Sequence, residues 1–495
     1  MDAGYQIIAS VFQWQNLLAL VGGTLSGIII GILPGLGPSA GMALALPFVL
    51  KWEPTTALIF IGSLFKCSNY GGSITAILVN TPGDAANAAT ILDGYPMCEK
   101  GKAGAALGLS AAGAMVGGTL GMLCLIFSAP FLAKFALKFG AAEYFWVAVF
   151  ALSIVAGSVQ GAVIKGFISG GLGLMLSAVG TDVITGHERF TLGWAPLADG
   201  VPFIPVLVGL FAVTQALVLA ESAESISRIG KVTGGFWDGV FDYFKRPWAI
   251  LRSAVIGLFI GVLPAAGMSS AGLLSWAEAK RESEHPETFG TGEAEGVIAS
   301  ETATNACMPG DLVCTIALGV PGSIGAAIFL GIMIIFGIVP GPLIFTEKAG
   351  VIYSLFGSMI LTSFLLFLVG ATLASKLVVV TLLPNEIIVP AILVISLLGS
   401  FAINFTMADV LISLSFGAIG YIMLRTGFPP IPLLLGLVLG NMVESNYHRA
   451  LLISKGSYSI FFSSGISQFL IFLTFFSLIL PYLATLWNKL THSAS

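Results

Sequence analysis

Gly27, Gly31, Leu33, Pro34 and Gly37 return as Gly257, Gly261, Leu263, Pro264 and Gly267, at a constant offset of 230. Downstream, Pro82-Gly83 returns as Pro321-Gly322 at an offset of 239. A chain that repeats its helix breakers in the same order is built from two related halves. Each half must interrupt its helices at the same places, since Pro removes a backbone donor and Gly relaxes the backbone.

The segments around these breakers are apolar. The chain of 495 residues is 56% hydrophobic and 9% charged, whereas a soluble domain carries about 25% charge. With a mean hydropathy of +0.97, its long apolar runs are membrane spans, each needing ~20 residues. Candidate spans begin near Leu17, Leu44, Leu107, Phe145, Val163, Phe203, Ala249, Val313, Ile328, Val351, Ile387, Val410, Ile431 and Ile460. The expected fold is an all-α polytopic membrane protein with about 10–14 transmembrane or partial helices. The expected organisation is a leader (1–16), a first half (17–220), a cytoplasmic linker (221–247), a second half (248–487) and a tail (488–495).

Charge gives the orientation. Arg228, Lys231, Lys245, Arg246 and Arg252 form the largest basic cluster and read as cytoplasmic. The leader carries no Lys or Arg and reads as outside, with no cleavable signal, so the first span drives insertion. The two halves are then entered from opposite sides, which makes them inverted-topology repeats. Net charge is −4 without a basic block, so no nucleic-acid partner is expected. The cysteines (Cys67, Cys98, Cys124, Cys307, Cys314) lack metal or disulfide spacing and read as small buried hydrophobes. The four histidines form no paired catalytic face, so an enzyme is not expected and no cofactor is implied.

Paired broken segments in matching places mark the binding site of a secondary transporter. Asn69-Tyr70-Gly71-Gly72-Ser73 and Asn80-Thr81-Pro82-Gly83-Asp84 read as an interrupted, re-entrant hairpin turning near Pro82-Gly83. Free amides at such a tip, with a helix N-terminus after it, bind an anion without a buried lysine. Ser73, Asn80 and Thr81 would add hydrogen bonds. The mirror segment offers Asn305, Gly310, Asp311, Pro321, Gly322 and Ser323, with Ser323 at an N-cap-like position. Two such tips would hold opposite sides of one ligand; the bland alternative is a pair of loop turns.

The breaks at Leu33, Pro34, Gly35, Gly37 and at Pro264, Gly267 expose carbonyls that suit a small cation, or else are structural kinks. Asp84 either joins a cation site or caps the next helix. Asp93 reads as an interfacial turn, and Lys66 as a snorkelling side chain or a partner for an anion. Asp311, Asp409 and Glu444 are further carboxylates near apolar runs. The polar insertion Glu278 to Glu301 reads as a solvated loop, with Glu301 and Asn305 at its apolar end as site candidates. Small-residue runs at 110–121 and 169–173 suit close helix packing.

The motifs Gly31-Ile-Leu-Pro-Gly-Leu-Gly-Pro38, Tyr70-Gly-Gly-Ser73, Asn80-Thr-Pro-Gly-Asp84, Asp93-Gly-Tyr-Pro-Met97, Pro286-Glu-Thr-Phe-Gly290, Glu295-Gly-Val297, Gly319-Val-Pro-Gly-Ser323 and Pro340-Gly-Pro342 occur in one order. With them the chain resembles the TctA family, the large membrane subunits of bacterial tripartite tricarboxylate transporters, over nearly its whole length. The resemblance implies secondary active, cation-coupled uptake of a di- or tricarboxylate across the bacterial cell inner membrane. The coupling ion would be Na⁺, with H⁺ as the other option. It implies two partners, a small four-span membrane subunit and a periplasmic solute-binding protein, in the lipid bilayer, and admits a homo-oligomer. Citrate is the family's type substrate, and dicarboxylates and aromatic acids fit neutral hydrogen-bonding tips equally well. The chain contains no GxxxxGK[ST] loop for ATP. It departs from the family at Ala265-Ala266, where Pro-Gly-x-Gly is expected, and at Thr304, where a first Asn of a pair is expected. Alternating access of elevator type is the preferred motion, with rocking as the alternative. A stand-alone carrier, a passive channel and an intramembrane enzyme are the competing functions.

Overall fold

The computed structural model describes residues 9–33, 35–136, 138–157, 163–182, 186–221, 235–263, 266–341, 343–377, 382–476 and 478. The protein is an all-α polytopic membrane protein. Among the described residues six helices are long and apolar enough to cross a membrane, and six shorter ones are apolar. The single sheet described is a two-stranded hairpin, β1 (Gly180–Thr181) with β2 (Glu188–Arg189). Residues 1–8 of the expected leader, 222–234 of the expected linker and the whole expected tail lie outside the described residues, as do Pro34, Pro264 and Pro342.

The first half opens with α1 (Trp14–Ile32), α2 (Gly37–Val49), α3 (Pro54–Val79) and α4 (Ala88–Glu99). Helix α3 is one continuous run of 26 residues. The interruption expected at Asn69–Ser73 is therefore corrected: the glycines there serve packing instead. A Cβ on Gly71 would lie 2.5 Å from the Ile28 carbonyl oxygen, and one on Gly31 would lie 2.0 Å from that of Ser68. Small residues thus let α1 and α3 lie backbone to backbone, in the way helices associate in lipid. The real break comes at Asn80, which ends α3 in the left-handed conformation (φ 57°). The chain then doubles back until the Gly83 N–H meets the Gly72 carbonyl at 3.5 Å, and α4 starts from there.

The second half repeats this order in α10 (Pro247–Val262), α11 (Gly267–Glu282), α12 (Ala294–Leu318) and α13 (Ile324–Ile335), after α9 (Phe236–Phe244). A Cβ on Gly261 would lie 2.2 Å from the Cys307 carbonyl oxygen, so α10 and α12 pack as α1 and α3 do. Gly319 ends α12 at φ 75°, where Asn80 ends α3. The expected span near Val313 is the end of α12, which begins far earlier and carries Pro309 inside it.

Between and after these units lie α5 (Ala103–Ala136), α6 (Ala141–Gly157), α7 (Val163–Ser177), α8 (Phe203–Glu221), α14 (Ala349–Leu377), α15 (Asn385–Asn404), α16 (Met407–Thr426) and α17 (Pro430–Ile453). The largest apolar core joins α2, α3, α8, α12, α13 and α14. A separate cluster joins α6 and α17 to α13 through Val147, Ala151, Leu330 and Leu435.

Three charged positions differ from expectation. Asp93 is no interfacial turn but a fully buried residue of α4. Its Oδ1 accepts the N–H groups of Gly290, Gly292 and Glu293 at 2.8, 2.9 and 2.8 Å, and its Oδ2 accepts the Trp276 indole N–H at 2.7 Å. Lys66 does not snorkel. It is 2% exposed, donates to Ser363 Oγ and lies 3.4 Å from the Met359 carbonyl, because α5 and α14 cover this face of α3. The polar insertion is partly helical and several of its acids are paired, Glu282 and Glu295 with Arg252 and Glu293 with Arg246. Elsewhere Glu444 takes a two-pronged hydrogen bond from Arg189, and Asp409 accepts from Asn404.

Candidate functional site

The two breaks and the two tips build one site. At the first break Leu33 leaves helical conformation, and Gly35 and Gly37 turn the chain at φ 80° and 48° so that α2 restarts. Gly267, at φ 69°, does the same for α11. At the first tip the Asp84 carboxylate caps the turn 85–87, with Oδ1 2.8 Å from the Ala85 N–H. At the second, Ser323 Oγ accepts from the Ala326 N–H at 3.1 Å and caps α13.

These four starts of helix face a common cavity of about 190 Å³. Its walls are Pro38 and Ser39 of α2, Asp84 to Ala86 of the first tip, Ala266 to Ser269 at the start of α11, and Gly322 to Gly325 of the second tip. Val155 of α6 and Ile431 of α17 close it. Each helix start presents amide N–H groups without intrahelical acceptors and the positive end of a helix dipole. Ser39 and Ser269 add hydroxyls. No Lys, Arg or His lines the cavity among the described residues. The arrangement therefore suits a small anion held by neutral donors, with the Asp84 carboxylate as the one acidic group in the wall.

Of the residues expected at a site, Asp84, Gly267, Gly322 and Ser323 line this cavity. The others are placed elsewhere. Ser73 is buried within α3 and accepts from Asn87 Nδ2 at 2.9 Å. Gly83 wedges between Gly31 and Gly72, and Asn80 caps α3. The Thr81 hydroxyl approaches the Val79 carbonyl at 3.4 Å, and Pro82 is half-buried between them and the tip. Asn305 is turned back along α12, donating to the Glu301 carbonyl at 2.9 Å. Glu301, fully buried, accepts from Thr90 at 2.6 Å. Gly35 abuts Gln215 of α8, Leu33 ends α1, Gly37 precedes Pro38, and Pro321 is buried next to Gly322. Ser39 and Ser269 were not among the expected residues. Their signal was the offset of 230, which carries two residues past Gly37 and Gly267 and pairs the same side chain in both halves.

The model of the tripartite tricarboxylate transporter TctA family matches residues 17–435. Among similar curated proteins, an "uncharacterized 52.8 kDa protein in TAR-I ttuC' 3'region" of Agrobacterium vitis is 35% identical over 96% of this chain and 94% of its own length. An "uncharacterized protein in TAR-II ttuC' 3'region" of the same organism is 33% identical over 47% of this chain and 96% of its own length. No solved structure matches the chain.

Proposed function

The chain belongs to the tripartite tricarboxylate transporter TctA family, and from that premise we propose that it is the large transport subunit of a cation-driven carboxylate uptake system of the bacterial inner membrane. It works with a small four-span membrane subunit and receives its substrate from a periplasmic binding protein. The substrate is a di- or tricarboxylate, and the driving ion is Na⁺ or H⁺.

One observation carries this assignment: the tips and breaks of both halves wall a single cavity with four helix starts and, among the described residues, no basic side chain. Carboxylate oxygens would accept from the amides of Ala86 and Ile324 and from the hydroxyls of Ser39, Ser269 and Ser323, while the Ala85 and Gly322 N–H groups are held by Asp84 and Asp311. Neutral donors of this kind hold an anion without the strong ion pair that would slow its release. The Asp84 carboxylate in the same wall would repel the substrate unless a cation accompanied it, which favours coupling over passive flow.

The deciding experiment is uptake of labelled di- and tricarboxylates into proteoliposomes holding this chain with its small partner. It is run with and without the binding protein and an inward cation gradient. Accumulation above equilibrium that needs both is the expected result and names the substrate. Equilibration without accumulation under every gradient would mean a channel. Accumulation without the binding protein would mean a stand-alone carrier.

A further inference from the structure

Asp311 sits near the C-terminal end of α12 and is 1% exposed. Its Oδ1 accepts the Gly322 N–H of the second tip at 2.5 Å, with Thr315 Oγ1 at 3.4 Å, and the hydroxyl and N–H of Ser323 also act on the carboxylate. Its Oδ2 is buried without a hydrogen-bond partner among the described residues. No basic side chain pairs with it among the described residues. The titratable groups facing it are Cys307 and Cys314 of its own helix. A lone carboxylate at membrane depth is costly and calls for a compensating positive charge.

The first half shows that the fold does not need this charge. The residue 239 positions earlier is Gly72. The space that its side chain would fill is taken by Asn87, whose Oδ1 lies 2.1 Å from a Cβ placed there. That amide oxygen accepts the Asp84 N–H at 3.2 Å, so it pins the first tip as Asp311 pins the second. The Asn87 amide is fully engaged, donating to the Asn69 carbonyl at 2.8 Å and to Ser73. One half therefore holds its tip with a neutral, satisfied group, and the other with a carboxylate whose Oδ2 lacks a hydrogen bond of normal geometry among the described residues.

We propose that Asp311 is the seat of the coupling cation, a single positive charge bound between the end of α10, α12 and the second tip. The surrounding donors are oxygens. The Gly261 carbonyl and Asp311 Oδ1 lie 3.3 and 2.9 Å from one point above Gly322. Gly261 is in the last turn of α10, where carbonyls lack intrahelical partners and the dipole is negative. Hard oxygen donors of this kind suit Na⁺; a proton on Oδ2 would supply the same charge. Gly322 and Ser323 also wall the substrate cavity. Charge at Asp311 thus acts on the tip that holds the carboxylate, and the two bind together. This site rests on the transport function proposed above.

The test compares the wild-type chain with Asp311→Asn, each reconstituted with the small subunit. Exchange of labelled for unlabelled carboxylate across the bilayer reports the fold and the substrate site. Accumulation is measured under a Na⁺ gradient at equal pH, and under a pH gradient without Na⁺. The variant, which copies the neutral amide of the first half, is expected to keep exchange and to lose accumulation. The gradient that drives only the wild type identifies the ion. Accumulation by Asp311→Asn equal to wild type would overturn the assignment while leaving the transport function intact. Wild type without exchange of any carboxylate would overturn both. If Asp311→Asn does not assemble, Thr315→Val decides, since it keeps the carboxylate and lies outside the cavity wall. A several-fold shift in half-saturation by the cation, with exchange unchanged, supports the site. No shift overturns it.

Discussion

At the scale of single residues, Asp93 shows how one carboxylate ties distant parts of the chain together. It belongs to α4 of the first half, yet its four hydrogen bonds all come from the second: three loop amides and the Trp276 indole. Removing it strands these donors, and each buried donor left unmatched costs about 1–3 kcal/mol. Asp93→Ala should lower the midpoint of thermal unfolding in detergent by a large margin, and Asp93→Asn should lower it less, since it keeps an acceptor. An equal midpoint for Asp93→Ala and wild type would show that the clasp is not holding the halves. The neighbouring Glu293 offers a pH test. Burial alone would raise its carboxyl above the ordinary 4.5, but hydrogen bonds from Arg246, the Glu295 N–H and Thr288 bring it below that value. A depressed carboxyl stabilises the fold above its unfolded-state value, and that contribution is lost as pH falls through the folded-state value. The unfolding midpoint should therefore drop on acidification below 4.5, and Glu293→Gln should flatten that drop.

At the scale of elements, two packing rules recur in both halves. Helices α1 and α3, like α10 and α12, touch backbone to backbone at glycines spaced by four residues. Gly31→Ala and Gly261→Ala would each place a Cβ about 2 Å from a carbonyl oxygen of the facing helix, at 2.0 and 2.2 Å. Overpacking of that kind costs about 1–3 kcal/mol. Both should lower the unfolding midpoint, whereas Gly171→Ala, with open space around it, should not. The second rule bears on the proposed site: each helix that restarts after a break puts a serine of its first turn in the cavity wall. Ser39→Ala and Ser269→Ala should each raise the substrate half-saturation for uptake several-fold and leave the unfolding midpoint unchanged. A changed midpoint with unchanged half-saturation would mean packing and not binding. The breaks at 33–37 and 263–267 were legible in the sequence, because Pro and Gly recur there at one offset in both halves, whereas Pro309 stays inside α12. The capping role of Ser323 was legible for the same reason. What was not legible was which glycines break a helix and which only let another come close. Gly71 and Gly72 look like a break until α1 and Asn87 are seen to occupy the missing side-chain space. Nor could spacing say that Asn305 and Ser73 bond within their own surroundings, since that depends on helix rotation and on neighbours far along the chain.

At the scale of the whole molecule, buried hydrogen bonds join the two halves directly to each other. Thr90 of α4 bonds Glu301 of α12, the Asp93 clasp lies alongside, and Tyr243 of α9 is hydrogen-bonded to Thr302 at 2.9 Å. Polar bonds in an apolar medium fix relative position, so α1–α4 and α10–α13 are expected to travel as one body carrying both tips. The opposite wall is different. α6, α7 and α17 hold each other closely, with Gly166 against Ala156 and Gly173 against Leu433. They meet α13 through the apolar cluster of Val147, Ala151, Leu330 and Leu435. Apolar faces without directional bonds can slide, which is what an elevator displacement of the tip-bearing body against that wall requires. Val155 of α6 and Ile324 of the second tip both line the cavity, one from each side of this boundary. In a chain whose native cysteines are replaced, the pair Val155→Cys and Ile324→Cys should cross-link with short bifunctional reagents. The link should stop uptake while leaving substrate binding in detergent intact, and its rate of formation should change when substrate and cation are added together. Full uptake by the cross-linked protein would mean that the tip and α6 do not move apart during transport, and the motion would have to lie within the tip-bearing body instead.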